Sequence, residues 1–149
     1  EEAKPSVLQL FGFAQATENH LDRSIRESGA AIEWFLEDQS DGMTEKLEET
    51  VATALFRIVQ EAINNAIRHA LAGEIHVRLR NKAGRLLVEV TDNGIGMDRQ
   101  VQRIGHGIDN MRTRARLISA NFAIRKNMDG SGTCVTIHLQ PEMYQPIGG

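Results

Sequence analysis

Leu86-Leu87-Val88-Glu89-Val90-Thr91-Asp92-Asn93-Gly94-Ile95-Gly96 sets the reading of the whole chain. Leu86, Val88 and Val90 recur at period two, the mark of a half-buried strand. Asp92 falls on that same face, and a carboxylate aimed at a core costs several kcal/mol unless something hydrogen-bonds it. Gly94 and Gly96 permit backbone angles closed to other residues and let a ligand approach the main chain. Taken alone, the run also reads as a strand followed by a polar turn, where Asp and Asn are common for local reasons.

Upstream, Asn81-Lys82-Ala83-Gly84 turns the chain back, and Ile75, Val77 and Leu79 alternate in a partner strand. Before it lies a long helix, about Leu47 to Leu71, ending at Ala72-Gly73. Its apolar stripe is Leu55, Ile58, Val59, Ala62, Ile63, Ala66, Ile67 and Ala70, as expected for a helix laid on a sheet. Glu61, Asn65 and His69 form one polar line beside that stripe, which taken alone reads as a solvated face. Further upstream, Phe13 to Ser28 is helical with Gly29 as its C-terminal cap, and Ala31 to Leu36 reads as a strand before the turn cluster Gln39-Ser40-Asp41-Gly42.

Downstream, Met97 to His106 is polar and reads as a loop or lid. A helix follows from about Gly107 to Ser119, then strands at Phe122 to Lys126 and Thr133 to Leu139 around the loop Asn127 to Gly132. Adjacent strands joined by tight turns, mixed with helices, predict a two-layer α/β sandwich with a mixed, largely antiparallel sheet and helices on one face.

With 149 residues, 41% hydrophobic and 25% charged, the chain suits one ordinary globular domain. A net charge of -3 argues against a nucleic-acid partner. The lone Cys134 excludes an internal disulfide and a cysteine-based metal framework, and fits a reducing, cytoplasmic setting. No apolar run approaches the roughly 20 residues that span a bilayer. Glu1-Glu2-Ala3-Lys4-Pro5 lacks both a starting Met and signal-peptide character, so the chain reads as an excised piece of a longer protein. The domain is expected over 13–141, with a junction at 1–12 and a tail at 142–149.

Glu61-Ala62-Ile63-Asn64-Asn65-Ala66-Ile67-Arg68-His69-Ala70 resembles the N box of the Bergerat-type ATPases, a superfamily that includes histidine kinases and gyrase-type topoisomerases. Asp92–Gly96 is similar to its G1 box, Gly105-His106-Gly107 to its G2 box, and Gly130-Ser131-Gly132-Thr133 to its terminal Gly-x-Gly-Thr. The resemblance runs in order from Pro5 to Leu139. Its finer form is to the ATP-binding domain of sensor histidine kinases of the nitrate-sensor and lipid-desaturase-sensor type. Phe56-Arg57-Ile58-Val59-Gln60-Glu61-Ala62 and Gly107-Ile108-Asp109-Asn110-Met111-Arg112-Thr113-Arg114-Ala115 carry that finer likeness.

The resemblance implies the Bergerat fold, an ATP lid, and ATP with Mg2+ as cofactors. It implies that Asp92 accepts the adenine amino group, that Gly94, Ile95 and Gly96 let the backbone meet the base, and that Thr133 offers a hydroxyl nearby. It gives Asn65 to Mg2+, which prefers oxygen ligands, and Arg68 and His69 to the phosphates or ribose. Gly105, His106, Gly107 and Ile108 would end the lid and start a helix whose N–H groups meet the phosphates. Glu61 would act on the reacting imidazole directly or through the metal's waters.

The phospho-accepting histidine of such kinases lies on a helical hairpin, and none of His20, His69, His76, His106 or His138 sits in such a setting. The implied partners are therefore a separate helical dimerisation and phosphoacceptor domain and, beyond it, a response regulator. The parent would be a homodimer and this fragment a monomer without direct membrane contact. Rival readings are an anti-sigma-factor-type serine kinase and a nucleotide-binding interaction module without catalysis. His20 reads as a surface or packing residue, Trp34 as core, and Cys134 as a packed or edge thiol.

Overall fold

The hairpin at the centre of the domain pairs β2 (Glu74–Lys82) with β3 (Arg85–Asp92) in antiparallel register, Val77 opposite Val90 and Leu79 opposite Val88. Ala83 and Gly84 both take positive φ, 55° and 83°, in a two-residue turn whose twist suits paired strands. Asn81 Oδ1 accepts the Gly84 N–H at 2.9 Å and closes it. The protein is seen in a computed structural model that describes residues 7–68, 71–94, 107–127 and 130–140.

Three further strands, β1 (Glu33–Gln39), β4 (Asn121–Lys126) and β5 (Thr133–His138), complete a sheet of order β1-β2-β3-β5-β4. Every pairing is antiparallel except β1 with β2. That exception follows from the chain between them, which crosses over through a 3-10 turn (Met43–Lys46) and a long helix, as a parallel pair requires.

Helices α1 (Val7–Phe11), α2 (Phe13–Ser28), α3 (Glu49–Arg68) and α4 (Gly107–Leu117) supply the second layer. The expected stripe of α3 is buried from Leu55 to Ala66 against Ile75, Val77, Leu79, Leu86, Val88 and Val90 of the sheet. Phe13 of α2 meets Phe56 of α3 edge-on at 5.9 Å, and Met111 and Ala115 bring α4 into the same core. The opposite sheet face is left half-exposed and polar, with Arg78 paired to Glu37, Arg80 to Glu89, and Phe35 stacked on His76. Trp34 is half-buried against the core, and Cys134 is buried on β5 near the Thr91 hydroxyl.

The first strand is Glu33–Gln39, displaced from the expected Ala31–Leu36. Its register on β2, Glu33 opposite Glu74 to Gln39 opposite Arg80, outweighs its own apolar content. The polar residues Glu37, Asp38 and Gln39 suit a sheet edge, where charge discourages further pairing. Helix α1 and the 3-10 turn were absent from the sequence expectation. α3 spans Glu49–Arg68, starting later than expected, and Leu71 beyond it has φ 56°. α4 ends at Leu117, where Ser119 at φ 55° turns the chain and the Ala120 N–H reaches back to Ala115.

His20 is a packing residue, buried where α2 lies on α3. Its Nε2–H donates to Asn64 Oδ1 at 3.0 Å, and Gln60 Nε2 approaches Nδ1 at 3.5 Å, so the neutral ring satisfies both neighbours. Burial lowers its pKa from 6.5, with nearby Arg23 adding to the effect; burial with Arg85 and Lys82 lowers His138 similarly. A histidine depressed in the fold binds more protons when unfolded, so its contribution is complete above 6.5 and is lost as pH falls through the folded value. Thermal midpoints at about pH 7.5 and about pH 5.5 should therefore fall for the native chain, and fall less for His20→Gln. Equal falls would remove His20 as a source of the loss.

Candidate functional site

Strand alternation carries Asp92 to the helix-facing side of β3, where it is only 6% exposed. Its neighbours across the ladder are Ile75 on β2 and Thr133 on β5, itself buried. Asp92 Oδ1 accepts the Gly94 N–H at 2.8 Å, which bends the chain off the sheet in an Asx-type turn. The acid and the Thr133 hydroxyl expected beside it are thus brought together by strand register.

Gly132, at φ 69°, lies directly on this turn: a Cβ there would stand 1.8 Å from the Asp92 carbonyl oxygen and 2.8 Å from Asn93 Cα. The terminal Gly-x-Gly-Thr therefore needs its second glycine for backbone-to-backbone contact with the acid's own peptide. Asn127 Nδ2 donates to the same Asp92 carbonyl at 2.8 Å and to the Ser131 carbonyl at 2.6 Å. On the other side, Asn93 Oδ1 accepts the N–H groups of Gly73 at 2.8 Å and Glu74 at 2.9 Å, tying the turn to the segment behind α3. In the sequence Asn93 and Asn127 read only as turn and loop residues. Their signal was the amide type itself, placed at the exits of β3 and β4.

On α3 the polar position Asn65 is not solvated. Asn65 is 4% exposed, and its Nδ2 has no hydrogen-bond partner among the described residues. An orphaned buried amide costs about 1–3 kcal/mol, which a bound polar ligand would remove. Glu61, one turn earlier, is half-buried and faces a cavity of about 200 Å³ shared with His20, Arg57, Asn64 and, from α4, Asn110 and Arg114. Arg68 is exposed and borders a groove with Ser24, Glu27 and Ser28 of α2. Gly107 is buried at the start of α4, and Ile108 is half-buried against the core. His69, Ile95, Gly96, Gly105 and His106, with the expected lid, lie outside the described residues. A separate cavity of about 340 Å³ lies between α1, α2 and α3, bordered by Leu8, Ala16, His20 and Phe56.

Among the described residues no helix is long and apolar enough to cross a membrane. Residues 50–143 match the family described as histidine kinase-, DNA gyrase B-, and HSP90-like ATPase. An uncharacterized sensor-like histidine kinase of Chloroflexus aurantiacus is 32% identical over 148 residues, covering 95% of this chain and 24% of the relative. The sensor histidine kinase LiaS of Bacillus subtilis is 32% identical over 138 residues, covering 91% of this chain and 36% of the relative. The chain thus spans about a quarter to a third of the length of these curated relatives. The histidine kinase domain of the Erythrobacter litoralis EL346 blue-light activated histidine kinase superimposes with a TM-score of 0.73, covering 95% of this chain and 66% of that one, at 19% identity. At that identity the likeness establishes the shared fold. The chain belongs to the histidine kinase-, DNA gyrase B-, and HSP90-like ATPase family and is an ATP-binding domain of the sensor histidine kinase type.

Proposed function

We propose that this domain binds Mg-ATP with its adenine on Asp92 and directs the γ-phosphate to a histidine carried by a separate helical domain of the same protein. The observation that carries the reading is the buried Asn65 amide with its orphaned Nδ2, on the helix that crosses between β1 and β2. Rotation about the last side-chain torsion exchanges the amide oxygen and nitrogen, so the group suits either a cation or a phosphate oxygen. Bound Mg2+ would supply charge neutralisation for the phosphates; Asn65 is the described residue suited to hold it, through its amide oxygen.

The remaining roles follow from the chemistry of each group. Asp92 takes the adenine amino hydrogen and would repel the carbonyl that guanine presents there. Gly94, Ile95 and Gly96 give the base its approach, and Thr133 supplies a hydroxyl beside the carboxylate. The N-terminus of α4, from Gly107 and Ile108 with Gly105 and His106 before them, offers N–H groups to phosphate. His69 serves the phosphates or ribose. Arg68, exposed at the end of α3, serves them with it. Glu61, in its half-buried cavity, orients the accepting imidazole or the metal's waters.

The finer placement is in the nitrate-sensor and desaturase-sensor branch, supported by Phe56–Ala62 and Gly107–Ala115. Residues 1–12 form the junction to the helical domain, 13–141 the ATP-binding domain and 142–149 a tail. The parent is a homodimer that works in the cytoplasm and passes phosphate to a response regulator.

A separately expressed helical domain, mixed with this chain and labelled ATP, should acquire acid-labile label. Label on serine would instead indicate an anti-sigma-factor-type kinase, and absence of label a binding module. Asp92→Asn should weaken ATP binding by about ten- to a hundredfold, the scale of one charged hydrogen bond, while circular dichroism stays native. Unchanged affinity in calorimetry would sink the adenine assignment. Asn65→Ala should abolish the gain in affinity that the native chain shows on adding Mg2+. An undiminished gain would remove Asn65 from the metal's surroundings.

A further inference from the structure

Asp92 is the last residue of β3, and its side chain can be aimed only as well as its own peptide is held. Two amide side chains hold that peptide from opposite sides of the strand. Among the described residues Asn127 acts from the β4–β5 connection as a donor: one Nδ2 hydrogen goes to the Asp92 carbonyl and the other to the Ser131 carbonyl. Its backbone carbonyl also accepts the Gly130 N–H at 2.9 Å. Among the described residues Asn93 acts from within the turn as an acceptor, its Oδ1 taking the Gly73 and Glu74 N–H groups. Its own N–H donates to the Glu74 carbonyl at 3.3 Å. Gly132 completes the arrangement by letting the two backbones touch.

We infer that Asn127 and Asn93 are positioning residues for nucleobase recognition: together they set the Asp92 carboxylate where it reads adenine. The inference rests on the assignment of adenine to Asp92. A hydrogen bond that discriminates between bases depends on placement to within a fraction of an ångström. Loosening either attachment leaves the carboxylate present and misdirected.

The two amides differ in the chemistry they need, which separates positioning from simple support. Asp in place of Asn127 would set a carboxylate against two carbonyl oxygens, three acceptors with no hydrogen among them. Asp in place of Asn93 keeps an acceptor for both N–H groups at an exposed site. Calorimetric titration of the 149-residue chain with ATP and with GTP, well below its melting midpoint, tests this. Asn127→Asp and Asn127→Ala should weaken ATP binding by about tenfold or more and narrow the ATP-to-GTP preference by a similar factor. Asn93→Ala should do the same, whereas Asn93→Asp should stay within about threefold of native in both. Should the Asn127 variants unfold, the Asn93 pair carries the test alone.

Native affinity and native base preference in Asn127→Ala and Asn93→Ala would overturn the inference. So would lowered melting midpoints with an unchanged ATP-to-GTP ratio, which is what a merely structural role produces. Asp92→Asn belongs in the same titration. If it binds ATP like the native chain, the adenine assignment falls and the positioning roles fall with it. If it loses ATP while the asparagine variants keep native affinity and preference, only the positioning roles fall.

Discussion

The carboxylate of Asp92 lies inside the domain, and much of the surrounding structure answers the cost of placing it there. Burying a carboxylate on the inner face of a strand is costly in a medium that cannot hydrate it. Here Oδ1 is satisfied by the Gly94 N–H, the flanking position on β5 is Thr133, and the peptide itself is held by side-chain amides. The close contact of Gly132 with the Asp92 carbonyl leaves no room for a Cβ. Two elements distant in sequence, the turn after β3 and the loop before β5, are thereby joined through backbone atoms.

The sheet's connectivity also explains the position of α3. A parallel β1–β2 pair requires a crossover, and α3 is that crossover, lying on the sheet through an apolar stripe. Once the stripe is seated, Asn65 is carried below the surface and Glu61 remains at its margin. The core that stabilises the helix therefore also fixes the depth of its polar residues. A buried amide without a partner among the described residues is expensive and favours a polar ligand beside it.

Much of the architecture was legible in the chain because local patterns and tertiary demands agree there. Ile75, Val77 and Leu79 alternate before Ala83-Gly84, and Leu86, Val88 and Val90 alternate after it, so the hairpin could be read from periodicity and turn chemistry. Gly29 ends α2 in the left-handed conformation expected of a helix cap. The misreadings occur where the determining partner is far away. β1 is placed by its ladder with β2, so its apolar start at Ala31 was a poor guide to a strand ending at Gln39.

By itself the sequence determined the five strands and three longer helices in order, without α1 and the 3-10 turn, and displayed an acid, an amide and glycines in the spacing of the family's motifs. Those properties are carried by residue type and short spacing, which a linear chain displays directly. Only the tertiary structure decided that Asn65 is buried while Glu61 is not, that Gly132 rests on the Asp92 carbonyl, and that Asn127 and Asn93 grip the turn from either side. Each of these is a meeting of residues brought together by strand register or helix packing, and no local pattern in the chain records such a meeting.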